Sequence, residues 1–139
     1  MIKKVQVWVV YADEVLLLRV ISDRGSGWHP VTANLEKGEK FLDGAKRETL
    51  EETGIKPKQG KWLELDFSFE YEGRWGRAKE HAFALILKER PPEIKIDPSE
   101  HTEFSWLSFK KAQKKLHHTP QKQALEILME KLECIPSKI

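Results

Sequence analysis

The feature that most constrains this chain is a concentration of glutamates ahead of Gly54. Glu39 is followed, after seven residues, by the run Arg47-Glu48-Thr49-Leu50-Glu51-Glu52-Thr53-Gly54-Ile55. On a helix with about 100° between successive residues, Glu48, Glu51 and Glu52 share one face. Like charges at this spacing are destabilising, which predicts a helix whose acidic face binds a cation.

The neighbouring residues set the expected bounds of this helix. It should run from about Phe41 to Thr53 and end at Gly54, because glycine adopts the left-handed conformation that terminates helices, and Pro57 prevents its continuation. The small or apolar residues beside the carboxylates are expected to pack against a sheet: Leu42, Ala45 and Thr49.

Apolar runs elsewhere predict a sheet. The expected strands are residues 4–11, 15–20, 62–71, 82–87 and a short segment at 104–107. Residues 21–27 and 72–77 are expected to form loops, the second exposed and mobile, and residues 30–39 an irregular segment leading into the acidic helix. Ser108 can cap a short helix, and a last helix is expected over residues 120–133.

The chain as a whole has the character of one globular domain, residues 1–139. Its 33% of charged residues, 40% of hydrophobic residues and net charge of +2 indicate neither disorder nor a large basic surface. Cys134 is the only cysteine, which excludes an intrachain disulfide and suits a reducing cytoplasm. The basic start and apolar run at residues 1–12 are not expected to form a signal peptide or membrane span, because Asp13 and Glu14 interrupt them.

The clustered carboxylates indicate the kind of cation. They supply hard oxygen ligands suited to Mg²⁺ or Mn²⁺ rather than Zn²⁺. Magnesium usually shares its coordination shell with substrate phosphates, which predicts hydrolysis of a phosphoanhydride. Arg47 lies next to the carboxylates and is predicted to be one of the catalytic residues. We expect it to hold carboxylates in place by an ion pair with Glu39 or Glu51 rather than to contact phosphate.

The spacing from residue 33 to residue 55 resembles the signature of the Nudix hydrolases, the MutT-type family. Two positions differ from it: Ala33 replaces the opening glycine and Thr49 an apolar residue. The resemblance implies an α/β fold, an α/β/α sandwich with a mixed sheet. It also implies that Glu48 and Glu52 are the principal metal ligands, and that Glu51 is a further ligand or positions the attacking water.

Members of this family often take a last catalytic carboxylate from a loop outside the signature. The candidates are Glu80, Asp97, Glu100 and Glu103. The segments from Trp28 to Glu39, from Glu100 to Leu107 and from Gln121 to Leu125 are similar to the dihydroneopterin triphosphate or dATP pyrophosphohydrolases of the family. This similarity implies that Glu100 is the loop carboxylate, as a metal ligand or general base.

The substrate side of the site is less constrained. Positions where the subfamily contacts substrate are occupied by Arg19 and Thr32, with Lys3 or Lys4 and His118 as weaker matches. Trp28 and Trp75 could stack on a planar ring, although Trp28 is equally compatible with the core. The other histidines show no paired ligand spacing and are interpreted as surface or hydrogen-bonding residues: His29, His81, His101 and His117.

The sequence therefore predicts a metal-dependent hydrolase that cleaves a small-molecule triphosphate to a monophosphate and pyrophosphate. Dihydroneopterin triphosphate or dATP is the favoured substrate. The alternatives are an oxidised-nucleotide hydrolase, a dinucleoside polyphosphate hydrolase, an RNA 5′-end hydrolase or a non-catalytic nucleotide sensor. RNA is a disfavoured partner, because the lysines at positions 110–115 are interpreted as a solvated helix face. A monomer and a homodimer are both compatible with the sequence.

Overall fold

The computed structural model describes residues 1–20 and 27–133, in which seven strands form one mixed sheet. The strands are β1 (Ile2–Tyr11), β2 (Glu14–Val20), β3 (Trp28–His29), β4 (Val31–Asn34), β5 (Gly60–Gly73), β6 (Gly76–Leu87) and β7 (His101–Ser108). The α-helices are α1 (Phe41–Thr53), α2 (Phe109–Lys115) and α3 (Thr119–Glu133). No helix within the described ranges is long and apolar enough to cross a membrane.

The sheet is built around β1. Its strand order is β3-β2-β1-β6-β5, with β4 also paired to β1 and β7 also paired to β2. Only the β1–β6 pair is parallel among the strand pairs of the described segments, so the sheet is mixed as predicted. Lys4 pairs with Asn34, and Val20 pairs with His101. The beginnings of β1, β6 and β7 and the end of β2 therefore meet at one end of the sheet.

Alternation along the strands places a core on each face of the sheet. Val5, Val7 and Val9 pack on the face that also buries Ala45 of α1. Trp8 and Val10 point to the opposite face, where they pack with residues of α2 and α3. Helices thus cover both faces, which confirms the predicted α/β/α sandwich.

Local structure differs from the sequence prediction at three places. Residues 31–34, expected to be irregular, form β4, because they find hydrogen-bonding partners in β1. The segment 72–77 is a tight hairpin rather than a loop, since Gly73 pairs with Gly76. Leu42 is 38% exposed, whereas Ala45 and Thr49 are buried as expected. Residues 21–26 of the predicted loop at 21–27 lie outside the described residues.

Candidate active site

Helix α1 presents its three carboxylates at very different depths. It ends as predicted at Gly54, whose φ is 79° and whose N–H donates to the carbonyl oxygen of Leu50. The Glu51 side chain is 57% exposed, that of Glu48 15%, and Glu52 as a residue only 4%. Glu51 and Glu52 are about 100° apart around the helix, so one points to solvent when the other points into the fold. The acidic face is therefore a buried carboxylate bordered by more accessible ones.

Arg47 is held by a cluster of acidic side chains. Its Nε and Nη2 donate to the two carboxylate oxygens of Glu39 at 2.8 and 2.9 Å. Its Nη1 donates to Glu48 at 2.7 Å and to Glu51 at 3.2 Å. The hydrogen bond from Arg47 lowers the pKa of Glu39 to about 2. Because its guanidinium already has carboxylate partners on both edges, Arg47 fixes the orientation of the acidic side chains, the arrangement expected of an ion-pairing role.

Glu52 lies where a negative charge is unfavourable. Burial is the largest cause that raises its pKa, to about 9, and a hydrogen bond with Glu48 and the charges of Glu48, Glu100 and Glu51 act in the same direction. A carboxylate in such surroundings either keeps its proton or binds a cation. Ligand atoms of Glu52, Glu100 and His101 lie within 4.8 Å of one another. These donors fit a divalent metal ion, which would compensate the clustered negative charge.

The four candidate loop carboxylates occupy different surroundings. Glu80 is not in a loop: it lies in β6, 3% exposed, and accepts hydrogen bonds from Gln6 and Tyr71. Asp97 accepts from the backbone N–H and hydroxyl of Ser99. Glu103 pairs with Arg19 at 2.9 Å. Among these four, Glu100 is the one whose negative charge helps to raise the pKa of Glu52, after burial and the contacts with Glu48. Its ligand oxygen lies within 4.8 Å of that of Glu52.

The predicted substrate-side residues fall on both faces of the sheet. Arg19 lies 6.0 Å from the ring centroid of Trp28. Lys115 lies 5.9 Å from the same ring, which also packs against the core below α3. The hydroxyl of Thr32 donates to the carbonyl oxygen of Pro30 at 3.1 Å, the backbone-bonding role that a turn residue usually has.

Lys3 and His118 are separated from one another. Lys3 lies over the ring of Phe41 on the α1 side. Its neighbour Lys4 points to the opposite face. Burial is the largest cause that lowers the pKa of His29, to about 4, and the charges of His101, Lys4 and His118 act in the same direction. Lys4, the alternative to Lys3 in the sequence prediction, therefore lies near His29 and His118. Trp75, at the hairpin tip, is 78% exposed beside Arg74.

Two histidines at this site were not recognised from the sequence. His101, interpreted as a surface or hydrogen-bonding residue, is 4% exposed, and its Nε2 lies 3.7 Å from a carboxylate oxygen of Glu52. The same nitrogen lies 3.3 Å from Nε2 of His29. Their separation along the chain hides this pairing from any local spacing rule, and the adjacency of His101 to Glu100 was the one available signal.

Comparison with known proteins gives a consistent family. A family model described as the NUDIX domain matches residues 3–127. Among solved structures, a Caenorhabditis elegans Ap4A hydrolase is 20% identical, with a TM-score of 0.85 over 97% of this chain and 100% of that one. The Escherichia coli dihydroneopterin triphosphate pyrophosphohydrolase is 25% identical, with a TM-score of 0.78 over 89% of this chain and 92% of that one.

A further similarity concerns only part of a longer protein. A Myxococcus xanthus protein named octanoyltransferase is 30% identical over 109 residues, 73% of this chain. The chain spans 28% of the length of that relative. The name octanoyltransferase therefore refers to a protein most of whose length has no counterpart in this chain.

Proposed function

The chain belongs to the Nudix family, and we propose that it hydrolyses phosphoanhydride bonds and cleaves a nucleoside triphosphate or a related triphosphate to the monophosphate and pyrophosphate. Dihydroneopterin triphosphate or dATP is the proposed substrate. The observation that carries the proposal is the buried carboxylate of Glu52, surrounded by Glu48, Glu51 and Glu100 and therefore suited to a metal ion shared with phosphate.

We propose that the four glutamates of the site have different roles, which follow from their burial. We assign Glu48 and Glu52 as the principal ligands of Mg²⁺, or of Mn²⁺, because they are the least exposed carboxylates of α1. When bound, the ion would neutralise phosphate charge and polarise the attacking water. Glu51 and Glu100 are exposed, so they can reach that water and accept its proton, and either can add a ligand oxygen.

The proposed products require hydrolysis between the α and β phosphates. Water adds its oxygen to one of these two phosphorus atoms, the bond from that phosphorus to the bridging oxygen breaks, and the monophosphate and pyrophosphate are released as Glu51 or Glu100 accepts the proton of the water. Arg47 contributes by fixing the side chains of Glu48 and Glu51 through ion pairs rather than by contacting substrate. A positioning role of this kind predicts that its loss lowers metal affinity as well as turnover.

The proposed binding region for the ring of the substrate lies on the face of the sheet that packs against α3. The cationic ends of Arg19 and Lys115 lie 6.0 and 5.9 Å from the ring centroid of Trp28 there. A planar ring can stack on an aromatic face, while cations favour the phosphates. Thr32, His118 and Lys4 complete the proposed substrate side, with Lys3 on the α1 side.

The choice of substrate rests on residues outside the signature. The segments beginning at Trp28 and at Glu100 resemble the dihydroneopterin triphosphate or dATP enzymes. The 25% identity to the Escherichia coli dihydroneopterin triphosphate enzyme supports that choice. The 20% identity to the Ap4A hydrolase supports the fold alone, although dinucleoside polyphosphates belong in any test of substrate range.

The test is the formation of hydrolysis products with Mg²⁺ across a panel of dihydroneopterin triphosphate, the common and oxidised deoxynucleoside triphosphates, dinucleoside polyphosphates and 5′-triphosphorylated RNA. Pyrophosphate is measured for the triphosphates and for the RNA, and mononucleotides are measured for the dinucleoside polyphosphates. The expected result is the highest kcat/KM for dihydroneopterin triphosphate or dATP. Preference for a dinucleoside polyphosphate would contradict the proposed substrate while leaving the hydrolase class intact. Binding of nucleotides without turnover of any of them would contradict catalysis itself.

A further inference from the structure

Positive charge is concentrated where α2 meets α3. The chain from Ser108 to Leu125 contains five lysines and no acidic residue, although the whole protein has a net charge of only +2. All five lysine side chains are exposed, and together they define what we call the basic surface: Lys110, Lys111, Lys114, Lys115 and Lys122. This short stretch therefore carries more positive charge than the protein as a whole.

The local fold places these lysines close together. Helix α2 buries Ala112 in the core, and its four lysines occupy an arc of about 140° on the outward side. The side-chain amide of Gln113 donates to the backbone carbonyl oxygen of Lys122 at 3.0 Å, which holds the first turn of α3 against α2. Lys122 therefore adds its charge beside the four charges of α2.

Acidic neighbours do not neutralise this surface. Among the residues that the structure describes, no ion pair is formed by Lys110, Lys111, Lys114 or Lys122. Glu126 follows Lys122 by one helical turn on α3, but the two do not pair within salt-bridge distance. Like charges held at this spacing repel one another, so an anionic ligand that spans them would be favoured.

The residues between the lysines indicate the chemistry of that ligand. The apolar residues Ala112 and Leu116 are buried, and the exposed positions from 110 to 123 hold only lysine, histidine, threonine and glutamine. Helices that bind membranes need an exposed apolar face, and the centre of a protein interface needs apolar or aromatic anchors. The phosphate backbone of a nucleic acid needs neither, because lysine charges alone bind it.

The position of the basic surface favours a single strand. Lys115, at the end of α2, lies 5.9 Å from the ring centroid of Trp28, which is partly exposed. Helix α2 is about 10 Å long, which corresponds to about three successive phosphates at about 3.4 Å each. A row of cations that leads to an aromatic ring is typical of sites that bind single strands, where a base stacks on the ring.

We propose that the basic surface binds the phosphate backbone of a single-stranded nucleic acid, with Lys115 and Trp28 at the end next to the candidate active site. This inference goes beyond the proposed function, because it concerns a separate ligand surface and requires no hydrolysis. The sequence favoured a solvated helix face. The structure adds the joining of Lys122 to α2 and the position of the lysines beside an aromatic ring.

The probe is a fluorescently labelled single strand of about 12 nucleotides with a 5′-hydroxyl end, prepared as RNA and as DNA. It contains no phosphoanhydride bond, so hydrolysis cannot contribute to the signal. Fluorescence anisotropy with the full chain should give a Kd of about 10⁻⁶–10⁻⁴ M for at least one of the two strands. The logarithm of the binding constant should fall with the logarithm of the salt concentration with a slope of about −3. The absence of saturable binding of both strands at about 50 mM salt would overturn the inference.

Two matched triple variants locate the binding. Replacing Lys110, Lys111 and Lys114 with glutamine should raise the Kd by about tenfold or more and reduce the salt slope by about 2. The control replaces three exposed lysines at the opposite end of the sheet with glutamine: Lys58, Lys61 and Lys88. The control should bind like the wild-type protein, and equal weakening in both variants would contradict the proposed location.

Further measurements separate this inference from the alternatives. Tighter binding of a duplex of the same length would contradict recognition of a single strand, and binding of phosphatidylserine vesicles without binding of either strand would indicate a lipid surface instead. The kcat/KM for dATP should be unchanged in the Lys110, Lys111 and Lys114 variant, which also shows that it is folded. Strand binding without hydrolysis of any triphosphate would overturn the proposed function alone, and hydrolysis without strand binding would overturn this inference alone.

Discussion

Replacing Glu52 with glutamine should stabilise the metal-free protein near neutral pH while removing a proposed metal ligand. The carboxyl of Glu52 is 4% exposed, and its burial, with the neighbouring negative charges, raises its pKa to about 9. In the unfolded chain the same group has its ordinary pKa of 4.5. The native state therefore binds a proton that the unfolded state has released, which penalises folding as the pH rises.

The sign and size of the effect follow from proton linkage. The stability contributed by Glu52 is complete below about pH 4.5 and is lost as the pH rises towards about 9. At about pH 7 the penalty is on the order of 3 kcal/mol, from about 1.4 kcal/mol per pKa unit over the interval above 4.5. Glutamine does not titrate, and its amide can still donate a hydrogen bond to Glu48.

The assay is urea denaturation in EDTA at several pH values between about 4.5 and 7. The free energy of unfolding of Glu52→Gln minus that of the wild-type protein should increase by about 3 kcal/mol across this range. Glu126→Gln, which removes an exposed carboxylate of α3 outside this acidic cluster, is the control for the loss of a carboxyl group. A difference for Glu52→Gln that does not change with pH would refute the reasoning.

Three further predictions concern the surroundings of the site. Arg47→Lys keeps the positive charge but loses the two parallel hydrogen bonds to Glu39. The free energy of unfolding, measured by thermal or urea denaturation, should therefore decrease by about 1–3 kcal/mol. An unchanged free energy of unfolding would contradict the role of Arg47 in holding these carboxylates. Glu80→Gln should stabilise the protein increasingly as the pH rises above about 4.5, because burial raises the pKa of Glu80; a pH-independent difference in unfolding free energy would argue against a buried, proton-binding carboxyl. Gly54→Ala should cost about 1–2 kcal/mol of unfolding free energy, because φ is +79° there and the added Cβ would lie 3.3 Å from Cβ of Lys95; full stability would show that α1 can end differently.

Much of the fold was predictable because the long elements carry strong local patterns. The bounds of α1 agree with the sequence prediction at both ends, since Gly54 terminates the helix by its own conformational preference. Strands β3 and β4 were missed because they contain only two and four residues and exist through pairing with β2 and β1. Such short strands depend on pairing with residues distant in sequence, so a local sequence pattern does not predict them.

The site was predictable where the helix alone determines geometry. Helical spacing placed Glu48, Glu51 and Glu52 together, but it could not show that Glu52 is buried while Glu51 is exposed, because depth depends on the packing of α1 against the sheet. The position of Glu100 followed from a family resemblance and not from spacing. The contact of His101 with Glu52 required the register between β7 and β2, which the sequence does not encode locally.

The central claim is that the carboxylates of α1 hold a metal ion that activates phosphoanhydride hydrolysis. It is tested most directly by Mg²⁺-dependent pyrophosphate release from dihydroneopterin triphosphate and dATP by the wild-type protein, Glu52→Gln and the control Glu126→Gln, which alters an exposed residue of α3. We predict a decrease in kcat/KM of about a hundredfold or more for Glu52→Gln and no change for the control. Unchanged turnover in Glu52→Gln would contradict the claim.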